Sequence, residues 1–535
     1  MHHPLRRVSA LAAAALAAGA LTLTTTDAAS AAPTANSAST AAAGWLSANL
    51  DGGLLPAGAY GVNYGAAIDA ALSLDTIGDH SAQVSAVLGA IATHIDDYIT
   101  GDAFGDTGST YSGAVAKAAV LAQVAGGNPT NVGGVDLISR LEDQVQPSGR
   151  IADTSAYGDY ANVLGQAFAV RALTTAASAD AAKATDFLLT QQCSAGWFRQ
   201  GFDNDGSATA PTQNDESCDA DSASTPSVDA TATAVLELLP QQADSTVATA
   251  IGKAEAWLKS VQAADGAWVG QATGAESVNT TGLAAWALGE LGDTAAAAKG
   301  AAWVRSNQLV NVGTCAPYKT GDVGALAGSP AGVATARSGG VAADIDQFEV
   351  ATAQAAAALV WAPAASGPLT VTAPTGYVRA GSTQQVTVAG EAPGSALCLN
   401  GQSWNAAAGG SDTRSITASA GSATYTVTDV DGRTAAATIA ALGPKKLKVK
   451  VKGAKTLHRG RKATVKVKGL AAGEHVKVTL RGKKVAGGTA KANGVFKAKI
   501  KLKGKKLNRL GKAKLKATGQ FADIRKGNRT VKVVR

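Results

Sequence analysis

Carboxylate, amide and hydroxyl residues recur at the beginnings of Ala-rich segments that have helical apolar spacing. In the simplest interpretation, these side chains cap the helices. If the helices form a ring, the same side chains make a polar rim that could bind the hydrogen-bonding groups of a ligand. Asp229 and Asn279 are the strongest candidates because they occupy equivalent positions in consecutive segments. The full candidate set is Asp69, Asp159, Asn162, Asp229, Asn279, Thr280 and Glu349.

Paired carboxylates offer a second kind of chemistry. Two carboxyl groups that face each other across a cleft can cleave a glycosidic bond. Asp229 and Glu349 could form such a pair, with Asp159 and Tyr160 beside them. A glycan-cleaving enzyme therefore remains one interpretation of these residues.

The four cysteines have the spacing of disulfides and not of a metal site. Cys193 and Cys218 bracket an acidic loop, and we predict that they are bonded to each other. Cys315 and Cys398 are the remaining pair, and the sequence leaves their pairing open. Because no Cys-x-x-Cys spacing occurs, we predict no metal, and we expect no cofactor.

The first 32 residues have the three parts of a secretory signal peptide. Arg6 and Arg7 precede an apolar run that begins at Val8, and small residues follow at 29–32. The signal predicts export, by either the general or the twin-arginine route. No later stretch has the ~18 consecutive apolar residues of a spanning helix, so we predict no transmembrane segment.

The positions of the candidate residues follow from an internal repeat. An amphipathic segment ending in a turn is followed by an Ala-rich segment, and the pair recurs six times. The equivalent apolar positions are Leu46, Ile95, Leu141, Leu188, Leu258 and Val304, at steps of 49, 46, 47, 70 and 46 residues. Six pairs of helices with the Ala-rich members inside predict an all-α (α/α)6 toroid over residues 41–363.

Two of the repeats resemble a known motif. The stretches KAEAWLKSVQAADGAW (253–268) and KATDFLLTQQCSAGW (183–197) are similar to the QW-type repeat of the terpenoid cyclase and protein prenyltransferase toroid superfamily. The resemblance covers about residues 41–362 and implies that Gln and Trp tie one helix end to the next hairpin. Structural roles are thereby implied for Gln192 (or Gln191) with Trp197, and for Gln262 with Trp268.

The resemblance also implies an activity that can be tested against the residues. Class II terpene cyclases protonate an alkene with an Asp in a D-x-D-D-T-A stretch, and SVDATA (227–232) is similar to it. Asp229 matches the middle Asp, but Ser227 and Ala230 replace its neighbours. We expect an isolated Asp229 facing a half-polar cavity to be ionised at neutral pH, the wrong state for an acid catalyst. The same stretch resembles the Asp-Thr-Ala helix start of cobalamin-binding toroid proteins, which do no chemistry.

The C-terminal third has alternating apolar residues and Gly-rich turns, a pattern typical of β-strands. It predicts two all-β immunoglobulin-like sandwich domains, residues 367–442 and a Lys-rich domain at 443–535. Residues 445–535 contain 31 of the 48 basic residues and 2 of the 40 acidic ones, so the remaining chain is acidic. Because lysines alternate with apolar residues, they should coat one face and bind polyanions.

These features together predict an exported protein of the cell envelope. We expect a small molecule or glycan at the toroid mouth, no catalysis, and attachment of the basic domain to anionic wall polymers or acidic glycans. Because the protein is expected to be exported, we predict no natural nucleic-acid partner. The alternative is a divergent toroid enzyme, terpene cyclase-like or glycan-cleaving, that uses Asp229.

Overall fold

The structure is a computed structural model that describes five stretches of the chain. The described residues are 35–56, 61–202, 213–271, 274–453 and 455–535. The predicted signal peptide, residues 1–32, lies outside them.

The chain divides into two compact units. The first contains the chain up to Ser366 together with Glu391–Gly410 and Asp429–Gly432. The second contains Gly367–Gly390, Ser411–Thr428 and Arg433–Arg535. The boundaries of the predicted modules, 41–363, 367–442 and 443–535, stay predictions.

The first unit contains the helices of the toroid, together with four of the strands given below. The α-helices are α1 (Ser37–Asn49), α2 (Tyr64–Ile77), α3 (Ser81–Thr93), α4 (Ile95–Ile99), α5 (Ser112–Val124), α6 (Leu137–Glu142), α7 (Val163–Thr175), α8 (Ala181–Thr190), α9 (Val228–Leu238), α10 (Ser245–Ser260), α11 (Val278–Glu290), α12 (Thr294–Ser306), α13 (Pro330–Gly339) and α14 (Ile345–Ala355). Short 3₁₀ helices lie at Asp102–Phe104, Leu239–Gln241, Thr320–Asp322, Val341–Asp344 and Ala356–Trp361.

Six helices, α2, α5, α7, α9, α11 and α14, form the inner wall of a closed ring. Each packs against the next in chain order, and α14 packs against α2. Across this closing contact, the Ser73 hydroxyl donates a hydrogen bond of 2.5 Å to the Ala353 carbonyl. Helices α3, α6, α8, α10 and α12 pack outside their inner partners, and α1 packs on the 3₁₀ helix that continues α14. The predicted (α/α)6 toroid is confirmed.

Small residues allow the inner helices to approach closely. A Cβ on Gly165 of α7 would lie 2.9 Å from the Cα of Gly113 on α5. A Cβ on Gly282 of α11 would lie 2.3 Å from the Cβ of Ala355 on α14. The Ala and Gly content of these segments is therefore required by the width of the ring.

Glutamine side chains hold the turns of the repeat through hydrogen bonds. Gln262 Nε2 donates to the Gly266 carbonyl at 3.1 Å, within its own turn, and to the Ala296 carbonyl of α12 at 3.0 Å. Gln192 Nε2 donates in the same way to the carbonyls of Gly196 and Ala250, both at 2.8 Å. Each glutamine thus joins a turn to the next outer helix.

A third glutamine closes the circle. Gln308 Nε2 donates to the Gly324 carbonyl at 3.1 Å and to the Ala38 carbonyl of α1 at 2.9 Å. The last turn of the toroid is therefore fastened to its first outer helix.

In the turns of Gln192 and Gln262, the buried aromatic residue is the second residue after the turn glycine. Trp268 is fully buried, donates its indole N–H to the Leu258 carbonyl at 2.8 Å, and its backbone N–H to Thr281 Oγ1 at 2.9 Å. Counted from the glycine, Phe198 and not Trp197 takes this place. Phe198 is fully buried and its N–H donates to Thr231 Oγ1 at 2.9 Å, while Trp197 is half-buried beside it.

The turn glycines have a steric cause. Gly196 and Gly266 have φ of +101° and +103°, in the left-handed region that favours glycine. Added Cβ atoms would lie 2.5 Å from the Lys253 carbonyl oxygen and 2.4 Å from the Lys299 carbonyl oxygen, respectively. The turn backbone therefore rests directly on the next outer helix.

Two disulfides lie in the first unit. Cys193 bonds to Cys218, and Cys315 bonds to Cys398, which settles the pairing that the sequence left open. Two disulfides are typical of an oxidising, extracytoplasmic compartment.

The C-terminal region consists of strands apart from the single-turn helix α15 (Lys505–Asn508). The strands are β1 (Val269–Gly270), β2 (Ala275–Glu276), β3 (Thr370–Thr372), β4 (Tyr377–Arg379), β5 (Thr383–Ala389), β6 (Ala396–Leu399), β7 (Gln402–Asn405), β8 (Ser411–Thr417), β9 (Gly421–Asp429), β10 (Thr434–Leu442), β11 (Lys445–Lys446), β12 (Lys448–Val451), β13 (Thr456–His458), β14 (Lys462–Lys468), β15 (His475–Leu480), β16 (Lys483–Thr489), β17 (Val495–Lys501), β18 (Gly511–Thr518) and β19 (Arg525–Val534). The first two of these strands precede the C-terminal region and form a small hairpin between α10 and α11, and the C-terminal strands begin with β3. The all-β prediction for this region is confirmed.

The strands after the toroid form several sheets. Strands β3, β5 and β8 form one antiparallel sheet, and β10 pairs with β9 and, in parallel, with β4. In the basic region, β12, β14 and β17 form a three-stranded sheet, and β11, β19, β18, β15 and β16 form another that β13 joins through β19. Alternate apolar side chains of the basic region, among them Val465, Val467 and Leu515, form its core.

Candidate functional site

The inner wall of the toroid surrounds a cavity of about 450 Å³. All six inner helices contribute to its lining. The ionisable and amide residues of the lining include Asp69, Lys117, Asp153, Asn162, Asp229, Glu237 and Gln354. Its aromatic residues are Tyr98, Tyr111, Tyr160, Phe168 and Trp286. A cavity with this mixture of charge and aromatic surface suits a ligand that is partly polar.

Asp229 lies in the first turn of α9, where Ser227 is the N-cap. Ser227 Oγ accepts a hydrogen bond of 3.1 Å from the Ala230 N–H, so the helix start needs nothing from the Asp229 carboxylate. That carboxylate hydrogen-bonds with Thr280 of α11, and its Oδ1 is buried with no hydrogen-bond partner among the described residues. Burial raises the pKa of Asp229. The expectation of an ordinary, ionised Asp did not account for this burial.

On the opposite side of the cavity, Asp69 is held by other side chains. Its Oδ1 lies 2.6 Å from Lys117 Nζ, and its Oδ2 accepts a hydrogen bond of 3.1 Å from Gln354 Nε2. Gln354 Oε1 in turn accepts from Asn279 Nδ2 at 3.0 Å. Asp69 and Asn279 are thus connected across the closing contact of the ring. Lys117 Nζ also lies 5.6 Å from the centre of the Phe168 ring.

A second ion pair supports the cavity wall at Glu237. This side chain is 4 % exposed, and its Oε2 lies 3.1 Å from Arg171 NH1. Burial raises the pKa of Glu237, while the Arg171 guanidinium opposes the rise. Like Asp69, this carboxylate has a cationic partner.

The predicted residues Asp159 and Asn162 organise the loop before α7. Asp159 Oδ2 lies 2.6 Å from Arg150 NH1, and its Oδ1 accepts a hydrogen bond of 2.9 Å from the Asp153 N–H. Asn162 caps α7, accepting from the Gly165 N–H at 3.1 Å, and also lines the cavity. Asp159 is not among the lining residues, so its role in the structure is to shape the loop.

Glu349 is buried outside the cavity lining. It is 1 % exposed, and its Oε1 has no hydrogen-bond partner among the described residues. Burial, with a smaller contribution from Asp346, raises the pKa of Glu349 to about 7. The pairing of Asp229 with Glu349 that a glycan-cleaving site would need is therefore not supported by the cavity lining.

Sequence reasoning missed several residues that define the cavity. Lys117, Glu237 and Gln354 lie inside predicted helices and not at their starts, so the capping pattern gave no sign of them. Trp286 lies on the inner helix α11 and was not among the predicted site residues either. The single charged residue of an Ala-rich helix is the signal that could have identified Lys117, and a carboxylate between leucines at the end of α9 is the signal for Glu237.

Two features are absent from the described part of the chain. No group of three or more His, Cys, Asp or Glu side chains there is placed to hold a metal ion. Within the same residues, no helix has the length and apolar character needed to cross a bilayer.

Comparison with known proteins bears on the toroid first. Residues 144–344 match the sequence model of the squalene-hopene cyclase C-terminal domain. Among solved structures, the type II terpene cyclase MstE from Scytonema aligns with 60 % of this chain and 96 % of its own, at 15 % identity and a TM-score of 0.42. No curated protein matches the sequence.

Two further structural matches have lower TM-scores. A bacterial ice-binding adhesin aligns with 31 % of this chain and 65 % of its own, at 21 % identity and a TM-score of 0.18. The human OSCAR ligand-binding domain aligns with 31 % of this chain and 96 % of its own, at 8 % identity and a TM-score of 0.21. The resemblance inferred from the repeats is confirmed for the toroid, in which residues 144–344 match the squalene-hopene cyclase C-terminal domain family.

Proposed function

We propose that this chain is an exported, non-catalytic binding protein of the cell envelope. The toroid cavity binds a small organic molecule, and the Lys-rich C-terminal module attaches the protein to anionic polymers of the cell surface. The observation that carries the first part is the unpartnered Oδ1 of Asp229 in a cavity lined by aromatic rings.

The charges of the cavity favour a ligand with a positive or hydroxyl-bearing group. The lining carries four carboxylates, Asp69, Asp153, Asp229 and Glu237, against the single cation Lys117. Of the four, Asp229 is the one with a fully buried oxygen that has no hydrogen-bond donor among the described residues. A ligand ammonium or hydroxyl group would supply that donor and offset the cost of desolvating the carboxylate.

The aromatic residues favour a ligand that also has an apolar or cationic surface. Phe168 and Trp286 line the same cavity on α7 and α11. Aromatic faces attract cations at about 0.5–2 kcal/mol per contact. An amine or polyol with an apolar portion is therefore the ligand class that this lining suits best.

The same lining disfavours a purely hydrocarbon substrate. Contact with a polyprenoid would strip water from four carboxylates and a lysine without replacing its hydrogen bonds, which is unfavourable. The resemblance to class II cyclases would also require acidic neighbours for Asp229. Their places are taken by Ser227, which caps α9, and by the fully buried Ala230.

Thermal shift measurements with small amines and polyols test the binding proposal. The wild-type chain should be stabilised by a subset of quaternary amines or polyols, and Asp229→Asn should lose that stabilisation. Asp96→Asn, on an exposed part of α4, is a matched control that should behave as wild type. Stabilisation that survives Asp229→Asn would remove Asp229 from the proposal.

A divergent enzyme is the second candidate, and one observation favours it. The raised pKa of Asp229 holds a proton on the carboxyl group to higher pH than in an exposed Asp, which is the direction a general acid needs. Incubation with squalene and with geranylgeranyl-bearing compounds would decide. Product that forms with wild type and not with Asp229→Asn would establish the enzyme and overturn the non-catalytic proposal.

Attachment to the envelope is proposed from the charge of the C-terminal module. Anionic wall polymers and acidic glycans are the polyanions available to an exported protein, whereas nucleic acid is not a natural partner there. Retention on purified cell walls should fall in high salt and on deletion of residues 443–535. Retention that is unchanged by both would contradict the attachment.

A further inference from the structure

One sheet face of the basic region carries lysine at almost every outward position. In β12, β14 and β17, the inward side chains are apolar and mostly buried, while the outward ones are exposed or half-buried. We call the outward lysines the lysine face: Lys448, Lys450, Lys462, Lys466, Lys468, Lys497, Lys499 and Lys501. The other outward residues on these strands are Thr464 and Val495.

The strand register aligns these lysines in rows. Lys466 is directly opposite Lys450 on one side and Lys497 on the other. Two further pairs are formed by the outward lysines at 448 with 468 and at 462 with 501. Neighbouring strands are about 4.8 Å apart, and alternate residues along a strand are about 6.7 Å apart. The lysine face is therefore a regular array of positive charge.

The module supplies no carboxylate to neutralise this array. Residues 445–535 contain two acidic residues, Glu474 and Asp523. Glu474 is buried with its Oε2 2.6 Å from Arg525 NH2, and Asp523 pairs with Arg379. No ion pair involves the lysine face among the described residues. Because like charges directly opposite each other are destabilising, a face of this kind is best accounted for by an external anion.

We infer that the lysine face binds a linear polymer that carries a phosphate in each repeat unit. This inference rests on the proposed attachment of the C-terminal module to surface polyanions and assigns it to one sheet. The polymer lies along the strands, so that successive phosphates meet lysines two residues apart, and the three strands contact it from adjacent rows.

The array suits a polymer better than a lipid surface. Peripheral membrane-binding surfaces combine cations with apolar side chains that enter the bilayer. The single apolar residue among the outward positions, Val495, is half-buried. The lysine face thus has the electrostatic component alone, which a polyanion satisfies in full.

The neighbouring sheet provides a matched control. Lys512 on β18 is opposite Lys532 on β19, but Lys514 is opposite Thr530, and Lys516 is opposite Asn528. Its lysines are as exposed as those of the lysine face, but neutral residues interrupt the rows. Equal numbers of lysines can therefore be removed from the two sheets without a difference in net charge.

The test compares two triple variants of the full mature chain. One is Lys450→Gln/Lys466→Gln/Lys497→Gln, the central row of the lysine face, and the other is Lys512→Gln/Lys514→Gln/Lys532→Gln. Binding to a synthetic glycerol phosphate oligomer is measured by titration across a series of salt concentrations. Vesicles of phosphatidylglycerol with phosphatidylcholine and the free glycerol phosphate monomer serve as further probes, and circular dichroism checks that both variants are folded.

We expect wild type to bind the oligomer and the central-row variant to lose about tenfold or more in affinity. Its log–log salt slope should fall by about 2, the effect of three lost phosphate contacts at about 0.7 each, while the control variant stays near wild type. Equal losses in the two variants would overturn the assignment to this face but leave polyanion attachment standing. Binding of vesicles in preference to the oligomer would overturn the polymer as occupant. A wild-type chain that binds no probe would overturn the attachment itself.

Discussion

The carboxylates on two sides of the toroid cavity differ in their hydrogen-bond and ion-pair partners. On the side of α2, α5 and α14, Asp69 has Lys117 at 2.6 Å and a hydrogen bond from Gln354. On the side of α9 and α11, Asp229 has Thr280 and an oxygen with no protein donor. A buried polar group that is fully paired contributes to the fold, while one left unpaired is disfavoured unless something else pairs with it. The comparison assigns stability to the first side and ligand binding to the second.

Breaking the paired side should have the largest effect on stability. Lys117→Met leaves Asp69 without its cation in a largely buried site and should lower the free energy of unfolding by about 3 kcal/mol. Urea denaturation measures the loss. The double variant Asp69→Asn/Lys117→Met should recover part of it, because no uncompensated charge remains. A Lys117→Met protein as stable as wild type would show that the pair does not support the ring.

The turn before α11 supports both the fold and the side of the cavity that contains Asp229. Gln262→Ala leaves the carbonyls of Gly266 and Ala296 without their donor and should cost about 2 kcal/mol. Because Thr281 accepts from Trp268 in this turn, the change should also displace its neighbour Thr280 and weaken ligand binding.

The matched variant for that turn is Gln308→Ala, which loosens the turn on the paired side. It should reduce stability by a similar amount and leave binding of an amine probe near wild type. Calorimetric titration of both variants with the probe found by thermal shift makes this distinction. Equal loss of binding in both would mean that the turns act on the whole ring.

Glu349, like Asp229, has a buried oxygen without a hydrogen-bond partner among the described residues, but it does not line the cavity. Its pKa rises from the usual 4.5 to about 7, so the folded protein holds this proton to higher pH than the unfolded chain does. The stability linked to the protonated group is present at low pH and is lost as pH rises from 4.5 through 7. Glu349→Gln should therefore raise the free energy of unfolding by about 2 kcal/mol at pH 8 and change it little at pH 4.

Because Glu349 is not part of the cavity lining, its replacement should leave probe binding unchanged. Denaturation curves at the two pH values and one titration at pH 8 check both statements. A binding loss in Glu349→Gln would place this residue in the ligand site.

Asp229→Asn should have the smallest effect on stability. It removes a desolvated carboxylate whose raised pKa disfavours the ionised form, so stability should rise by about 1 kcal/mol or less at pH 7 and not at pH 3. Thermal unfolding at the two pH values measures this. A marked destabilisation at pH 7 would mean that the carboxylate supports the fold, as Asp69 does.

The ring can be predicted from the sequence because the residues that join neighbouring helical hairpins recur at a regular spacing along the chain. Gln, Gly and a buried aromatic or aliphatic residue recur in the turns, since each turn rests on the next outer helix. Residue type suggested Trp197 as the aromatic partner of Gln192, whereas the spacing from Gly196 gives that position to Phe198. The covalent link of Cys315 to Cys398 spans 83 residues and has no local signal.

The cavity was less predictable than the ring. Asp229 and Asn162 lie at helix starts, where capping residues are expected, so the pattern found them. Asp69 and Lys117 are 48 positions apart in the sequence, and their 2.6 Å pairing depends on how far α2 is rotated against α5. Rotation of one helix against another is set by packing of the whole wall, which no local pattern encodes.

Native mass spectrometry of the chain purified without denaturation shows whether the toroid cavity holds a ligand through Asp229. Wild type should carry an additional mass of one small organic molecule, which is released on unfolding, and Asp229→Asn, purified in the same way, should not carry it. An identical additional mass on both proteins would contradict ligand binding through Asp229. Binding would also be contradicted by a wild-type chain that carries no ligand, shows no thermal shift with any amine or polyol, and converts a polyprenoid.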